Sequence, residues 1–242
     1  MSKIHSDRIG GFSENDGTID FYLRIRSLLT EESTVLDLGA GRAAWFEDDQ
    51  VDTRRELRHI RPLVKKLIAI DVDEVVMENR SSTENLVFDG KKLPLPDKSI
   101  DVVVADFVLE HVEHPVEFYR EVNRVLKDGG TFCARTPHKY NYVALGAGII
   151  SEKFHTSLLG KIQPVRKSQD VFPTFYRMNR LKDIRKLFDK WQDNSFIYRA
   201  EPAYFFGRKS VWHFMSWLHR LMPSVVVGSI FVFLKKPAAK ND

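Results

Sequence analysis

Four aspartates, Asp37, Asp71, Asp89 and Asp106, each close a short apolar or β-branched run, and Gly39 and Gly41 follow the first of them in VLDLGAGRA. A buried strand that breaks into so bare a turn leaves main-chain groups open to a ligand, because glycine accepts positive φ and presents no Cβ. A carboxylate at the end of a second strand can accept hydrogen bonds from both hydroxyls of a ribose, and one at the end of a third can accept from an adenine amino group. The set therefore suits an adenosine. A phosphate-bearing dinucleotide fits poorly: position 44 is alanine where its third glycine would stand, and the 30 residues from Gly41 to Asp71 exceed the roughly 20 of that fingerprint.

Three histidines compete for acid–base work. His111, in LEHV, follows the fourth apolar run beside Glu110; His138 follows the fifth in RTPHKY; His114 precedes Pro115 and reads as the start of a helix. An imidazole titrates near pH 6.5, so His111 is the first choice as general base or acceptor-positioning group and His138 the second, with a structural histidine the alternative for each. Glu110 and His111 could share a metal, but two ligands hold Mg²⁺ poorly, and no metal is required. Residues 138–180 mix aromatic rings with Arg166, Lys167, Arg177 and Arg180. That composition suits a sugar or ring bearing phosphate or carboxylate. Arg177 stands between aromatics, off any helical period, and is the candidate contact to an acidic group of the acceptor; the alternative is a surface arginine paired with Asp170 or Asp183. Tyr22 is a second candidate, from the N-terminal side.

The elements that must position these residues alternate. Residues 18–29 have helical spacing and precede a strand at Val35–Leu38; the charged stretch from Arg42 to Lys66 reads as mostly helical. KLIAIDVD and NLVFDG are strands, IDVVVADFVLEHV contains a fourth, continuous as buried parallel strands are, and TFCART is a fifth. PVEFYREVNRVLKDGG is an amphipathic helix stopped by Gly129-Gly130. RLKDIRKLFDKW is a helix, and SFIYRAEP and SIFVFLKKP are two last strands around a helix at 209–222. The alternation predicts an α/β fold, a doubly wound and mostly parallel sheet.

At 242 residues, 43% hydrophobic and 29% charged, the chain has room for one core, and a single domain over 1–242 is expected. The single cysteine, Cys133, excludes an intramolecular disulfide and fits a reducing cytoplasm. MSKIHSDRIGG has no apolar signal region, and PSVVVGSIFVFL is too short and too glycine-interrupted to span a bilayer, so a cytoplasmic location is expected. Net charge is +4, but residues 161–220 hold 13 Lys/Arg against 5 Asp/Glu, a local balance of +8. A segment so basic points to an anionic partner. In the helix at 209–222, Val211, Phe214, Met215, Leu218, Leu221 and Met222 form one apolar stripe, expected to cover the sheet. Trp212, Trp217, Lys209 and Arg220 beside it raise peripheral contact with anionic lipid as the alternative.

From Val35 to about Pro137 the sequence resembles class I S-adenosylmethionine-dependent methyltransferases. LDLGAGRA is similar to the family's first motif, IAIDVDE to its second, and FDGKKLPLPDKSIDVVVADFVLEHVEHP with EFYREVNRVLKDGG to the later ones. The resemblance implies S-adenosylmethionine as cofactor and a seven-stranded, Rossmann-like sheet whose last strand is antiparallel. It places Gly39 and Gly41 beneath the methionine part, with Asp37 supporting the turn or capping the next helix. Asp71 would hold the ribose, Val72 lie beside the adenine, Asp89 meet the adenine edge with Gly90 adjacent, and Asp106 end the fourth strand near the sulfonium. The N-terminal region 1–32 would cap the methionine end, and the excursion 138–180 would supply the acceptor side.

The LEHV segment resembles that of ubiquinone-biosynthesis O-methyltransferases, in which an earlier glutamate completes a divalent-cation site; here that position is Phe107. NDGTIDFY and FPTFYRMN resemble bacterial methyltransferases of surface polysaccharide biosynthesis, which implies O-methylation of a small molecule or glycan intermediate. Methylation of RNA and cofactor binding without catalysis are the alternatives.

Overall fold

The computed structural model describes residues 8–142, 172–202 and 208–239. Among the described residues eight strands form one sheet: β1 (Thr34–Leu38), β2 (Lys66–Asp71), β3 (Glu84–Val87), β4 (Ile100–Asp106), β5 (Leu126–Pro137), β6 (Gln192–Asp193), β7 (Phe196–Arg199) and β8 (Gly228–Lys235). Their order is β3-β2-β1-β4-β5-β8-β6, with β7 also on β8. β1 to β5 are mutually parallel, and β8 runs antiparallel to β5. This is the α/β sheet expected, with its last strand antiparallel. The sixth strand is split. Asn194 N donates to Phe233 O (2.9 Å) and Phe233 N to Ser195 Oγ (3.1 Å), so a serine side chain replaces a ladder bond between β6 and β7.

Continuous apolar runs bury both faces because successive side chains alternate. Leu36, Leu38, Ile68, Ile70, Val103, Phe132, Val232 and Leu234 enter the core on one face. Val35, Leu67, Val102, Val104, Cys133, Phe231 and Phe233 enter that on the other. The first core is completed by α4 (Pro115–Val125) and α5 (Leu181–Leu187), the second by α1 (Gly17–Arg26). Asp16 caps α1 by accepting from Thr18 N (2.9 Å) and Ile19 N (3.2 Å), and Phe21 and Ile25, one turn apart, are fully buried.

Three local expectations are corrected. The charged stretch after Gly41, expected to be mostly helical with DDQVDTRREL as a surface excursion, holds two short helices, α2 (Trp45–Asp48) and α3 (Asp52–Arg58), the second of them beginning inside that excursion. Asp49 breaks it by accepting from Val51 N (3.0 Å) and pairing with Arg54 through both oxygens (2.6 Å each), and Arg54 also reaches Asp16 (2.8 Å). The helix before β5 stops at Val125, not at Gly129-Gly130, because Leu126 already pairs with Ile100 across a bulge. The third concerns α6 (Lys209–Leu221), which together with α7 (Ser224–Val227) leads into β8. Its buried face carries Trp212 and His219, whereas Phe214 is 59% and Leu221 66% exposed. Val211, Met215, Leu218 and Met222 of the stripe are half-buried as expected, and held groups complete the inner face: Arg8 lies over Trp212 (5.3 Å), and His219 Nδ1 donates to Ala200 O (3.2 Å).

Candidate active site

The carboxyl ends of β1, β2, β4 and β5 share one edge of the sheet. There the turn after β1 is held by its neighbour: Gly39 N (2.7 Å) and Ala40 N (3.2 Å) both donate to Ile70 O. Gly39 has φ +73°, and a Cβ on it would fall 2.5 Å from Val108 Cγ2, so no side chain fits. Gly41 has φ +52°, and a Cβ there would meet nothing within 4 Å; its open side is space for a ligand. Ala43, two residues on, also takes a left-handed φ of +52°, which costs an alanine about 1–2 kcal/mol.

Asp71 is buried and ties the turn to β2. Its Oδ2 accepts from Gly41 N (2.9 Å) and its Oδ1 from Asp73 N (3.1 Å), which leaves a lone pair on each oxygen. Val72 is 48% exposed, and its Cγ1 lies 3.5 Å from where a Cβ on Gly90 would be, so these two share one wall. Asp89, fully exposed, uses Oδ1 alone to accept from Lys91 N (2.9 Å) and Lys92 N (3.1 Å). Those two amides hold its carboxyl below the usual carboxylate range.

Asp37 and Asp106 differ sharply. Asp106 receives Arg135 through both oxygens (Nη2 at 2.9 Å, with Nε on the other), Tyr22 OH at 3.2 Å and Arg58 Nη2 at 3.4 Å. Arg135 also donates to Thr18 Oγ1 (3.0 Å) and lies over Phe107 (4.7 Å), itself at φ +61°; Arg58 lies over Trp45 (4.5 Å) and Tyr22 (5.3 Å). Burial would raise the Asp106 pKa, but Arg135 and then Arg58 hold it below the ordinary value. Asp37 accepts no side-chain hydrogen bond among the described residues. Burial, with the charges of Asp106 and Asp71, pushes it up to about 7 against the pull of Arg58. Tyr22 is thus buried and spends its hydroxyl inside the protein, fixing α1 onto the strand ends, and Asp106 is spent on cations already present.

An acid whose folded pKa lies above its unfolded value favours folding at low pH and loses that contribution as pH rises through the folded pKa. For Asp37 the window runs from about 4 to 7. A cation bound beside it reverses the preference. We expect affinity for a cationic cofactor to rise between pH 6 and 8 with release of about one proton, read from binding enthalpies in buffers of different ionisation heat. Asp37→Asn should flatten that dependence; an unchanged slope would place the proton elsewhere.

His111 ends a short 3₁₀ turn, Leu109–His111, and its Nδ1 donates to Pro173 O (2.8 Å). The same turn receives the returning end of the excursion: Phe175 N (2.8 Å) and Tyr176 N (3.2 Å) donate to Glu110 O, and Arg177 Nη1 donates to Glu113 O (2.5 Å). Arg177 is half exposed, lies over Phe175 (5.5 Å) and stands 4.0 Å from Glu113 Oε1; Asp183 is paired with Arg180 instead. Glu110 is buried and accepts from Thr136 Oγ1 (2.8 Å), to which Asn179 Nδ2 donates (2.6 Å), so its carboxylate is directed to the β5 end. His138 is also buried, with Nδ1 accepting from Tyr140 N (3.2 Å), and burial, reinforced by Arg180, lowers its pKa. It belongs to the β5–β8 corner, where its amide donates to Gly228 O (3.3 Å). Among the described residues no three His, Cys, Asp or Glu side chains stand together as a metal site. Arg166, Lys167 and Asp170 lie outside the described residues.

The structure brings Gly39, Gly41 and Asp71 together, sets Val72 beside Gly90, and joins Tyr22 to Asp106. The sequence reading missed Arg58 and Arg135, which complete the buried network, and Thr136 and Asn179, which orient Glu110. The donor set fits S-adenosylmethionine: a bare turn open at Gly41, spare lone pairs on Asp71 for a diol, an exposed apolar residue at Val72, and in Asp37 a carboxylate that a positive charge would return to its ionised form.

Residues 36–134 match the family described as "Methyltransferase domain". A probable S-adenosylmethionine-dependent methyltransferase of Mycobacterium tuberculosis is 34% identical over 98 residues, 39% of this chain and 35% of its own length. The match thus spans about a third of that relative. Among solved structures, YcgJ of Bacillus subtilis aligns with a TM-score of 0.54 at 18% identity, over 92% of this chain and 99% of its own. The [4+2]-cyclase SpnF aligns with a TM-score of 0.55 at 17% identity, over 91% and 81%. At such identities the likeness is one of fold, and the family rests on the matched motifs. Over residues 36–134 the chain carries a methyltransferase domain of the S-adenosylmethionine-dependent kind, and the cofactor of that family is S-adenosylmethionine.

Proposed function

We propose that the protein methylates a hydroxyl of an anionic small molecule or glycan intermediate, of the kind used in surface polysaccharide synthesis. S-adenosylmethionine, when bound, supplies a methyl group already activated on a sulfonium. Asp71 and the Gly39–Gly41 turn hold and orient it, and the neighbouring residues then need only to align an acceptor and manage one proton. The observation that carries the reading is the His111 Nδ1–H bond to Pro173 O. A carbonyl oxygen only accepts, so Nδ1 carries a proton, and in the neutral ring the lone pair is then on Nε2, the tautomer a general base for a hydroxyl needs. Arg177, on the strand of chain that crosses the same turn, is the group for the acceptor's negative charge.

The test is incubation with methyl-labelled cofactor and fractionated cell extract. Label in an acid-soluble, anionic carbohydrate or metabolite fraction supports the proposal. Label in RNA would transfer the chain to the RNA reading. Cofactor binding without label in any fraction would favour a role other than methyl transfer, as the shared fold of a [4+2]-cyclase illustrates. With an acceptor in hand, His111→Ala should lower turnover by about 10²–10⁴-fold and remove the acid limb of its pH profile. Full turnover in that variant, together with loss of wild-type activity in EDTA, would replace the base with a metal.

A further inference from the structure

We propose that α6 is a docking element for an anionic lipid bilayer, lying in the interface with its outer face and bringing the strand-end edge of the sheet to the membrane. Phe214 (59% exposed), Trp217 (56%) and Leu221 (66%) follow one another at spacings of three and four, on one outward stripe, with the Phe214 and Trp217 rings 6.0 Å apart. Three large apolar side chains on one solvent-facing stripe are costly in water and suit the headgroup–acyl boundary, where indole is especially favoured.

The cations are placed as an interfacial helix places them. Arg208 and Lys209 precede the stripe and Arg220 closes it, while no acidic residue occurs between Glu201 and Asp242. Arg208 and Lys209 sit at the amino end of α6, where the helix dipole disfavours positive charge, and the first turn holds no acid. Helix stability therefore does not explain Arg208; attraction to anionic headgroups does. A second copy of the chain is a poorer occupant, since a twofold contact would set these cations against their own images. A nucleic acid is poorer too, because charges flank the apolar stripe rather than track along it.

The element is firmly seated. Arg199 donates to the carbonyls of His219 and Met222 (2.8 Å for the latter), and Arg220 reaches Glu14 (3.4 Å) in the segment before α1. Its carboxyl end runs through α7 into β8, whose Ser229 pairs with Pro137 at the active-site end of β5. No described helix is long and apolar enough to cross a membrane, so the contact lies on the surface. If the methyltransferase reading above also holds, the acceptor is presented at the bilayer, as a lipid-linked sugar would be.

The experiment is flotation of the full chain with vesicles of phosphatidylcholine alone or mixed with phosphatidylglycerol, at low and at high salt. Binding to the mixed vesicles at low salt is expected, with quenching of tryptophan emission by brominated acyl chains. Trp191 and Trp212 are buried and the half-buried Trp45 is covered by Arg58 and Phe46, so most of the quenching should come from Trp217 and be lost in Trp217→Phe, which still binds. Phe214→Ser with Trp217→Ser should reduce the bound fraction by about tenfold or more, and Arg220→Glu should weaken binding to anionic vesicles only. Phe214 and Trp217 are exposed, so their serine variants should keep the wild-type melting temperature, and Arg220→Glu should lose no more than one exposed ion pair with Glu14. Absence of binding at low salt, equal binding to neutral vesicles, self-association through this face, or salt-steep saturable binding of RNA by it would each overturn the proposal. None of these readouts requires methyl transfer, so docking and catalysis fail independently.

Discussion

Asp71→Ala is expected to weaken S-adenosylmethionine binding by about 2–4 kcal/mol, a loss of roughly thirty- to several-hundredfold, because each charge-assisted hydrogen bond to the ribose contributes about 1.5–3 kcal/mol. The structure adds a second cause. Asp71 also accepts from Gly41 N and Asp73 N, so alanine leaves two turn amides without their acceptor and lets the turn after β1 relax. Asp71→Asn separates the two roles: its amide oxygen can still accept from one main-chain N–H, while its NH₂ cannot accept from a hydroxyl. Titration calorimetry should therefore rank affinities wild type, then Asn, then Ala. Gly39→Val offers an independent check, since a Cβ 2.5 Å from Val108 and a φ of +73° exclude any side chain. Wild-type affinity in folded Asp71→Ala would remove the ribose assignment.

The bare turn after β1 and the carboxylates at the strand ends were legible in the sequence for a physical reason. Turn glycines, strand-ending carboxylates and β-branched runs are local features, and each is dictated by the few residues around it. The parallel sheet followed from alternation, and the antiparallel last strand from the family resemblance. Illegible were the features that depend on register. Asp106 and Arg135 are 29 residues apart and meet because β4 and β5 pair in the one register that sets them opposite each other. Once that pairing is known, a buried carboxylate opposite an arginine on the next strand is the expected solution, but nothing in VVADF or CARTP alone announces it.

Helix α6 shows the converse limit. Its 3.6-residue period correctly marked a helix over 209–222, and the apolar count correctly found a stripe, but periodicity does not say which side of a helix meets the protein. The choice was made by Trp212 beneath Arg8 and by His219 against Ala200 O, polar and aromatic attachments with no hydropathy signature. Strand six is similar: its interruption at Asn194 and Ser195 depends on a serine hydroxyl reaching Phe233 N across to β8.

Arg135→Leu is expected to destabilise the protein by about 3–5 kcal/mol, since it strands the Asp106 carboxylate among buried groups. Both side chains of this pair are less than a tenth exposed, and the bond is bidentate. Asp106→Asn should cost a similar amount by leaving Arg135 without its counter-charge, whereas the double variant Asp106→Asn/Arg135→Leu should recover a large part of the loss, because neither charge then remains to be desolvated. The non-additivity distinguishes a buried pair from two independent contacts. The effect should also be local before it is global. Tyr22 and Thr18 reach the pair from α1, so amide exchange in α1 should accelerate in either single variant while β1 and β2 stay protected. Tyr22→Phe, which removes one 3.2 Å hydrogen bond, should reproduce that loosening at about 0.5–1.5 kcal/mol. Were Arg135→Leu to melt with the wild type, Asp106 would not depend on Arg135, and its carboxylate would again be available to the sulfonium side of the cofactor.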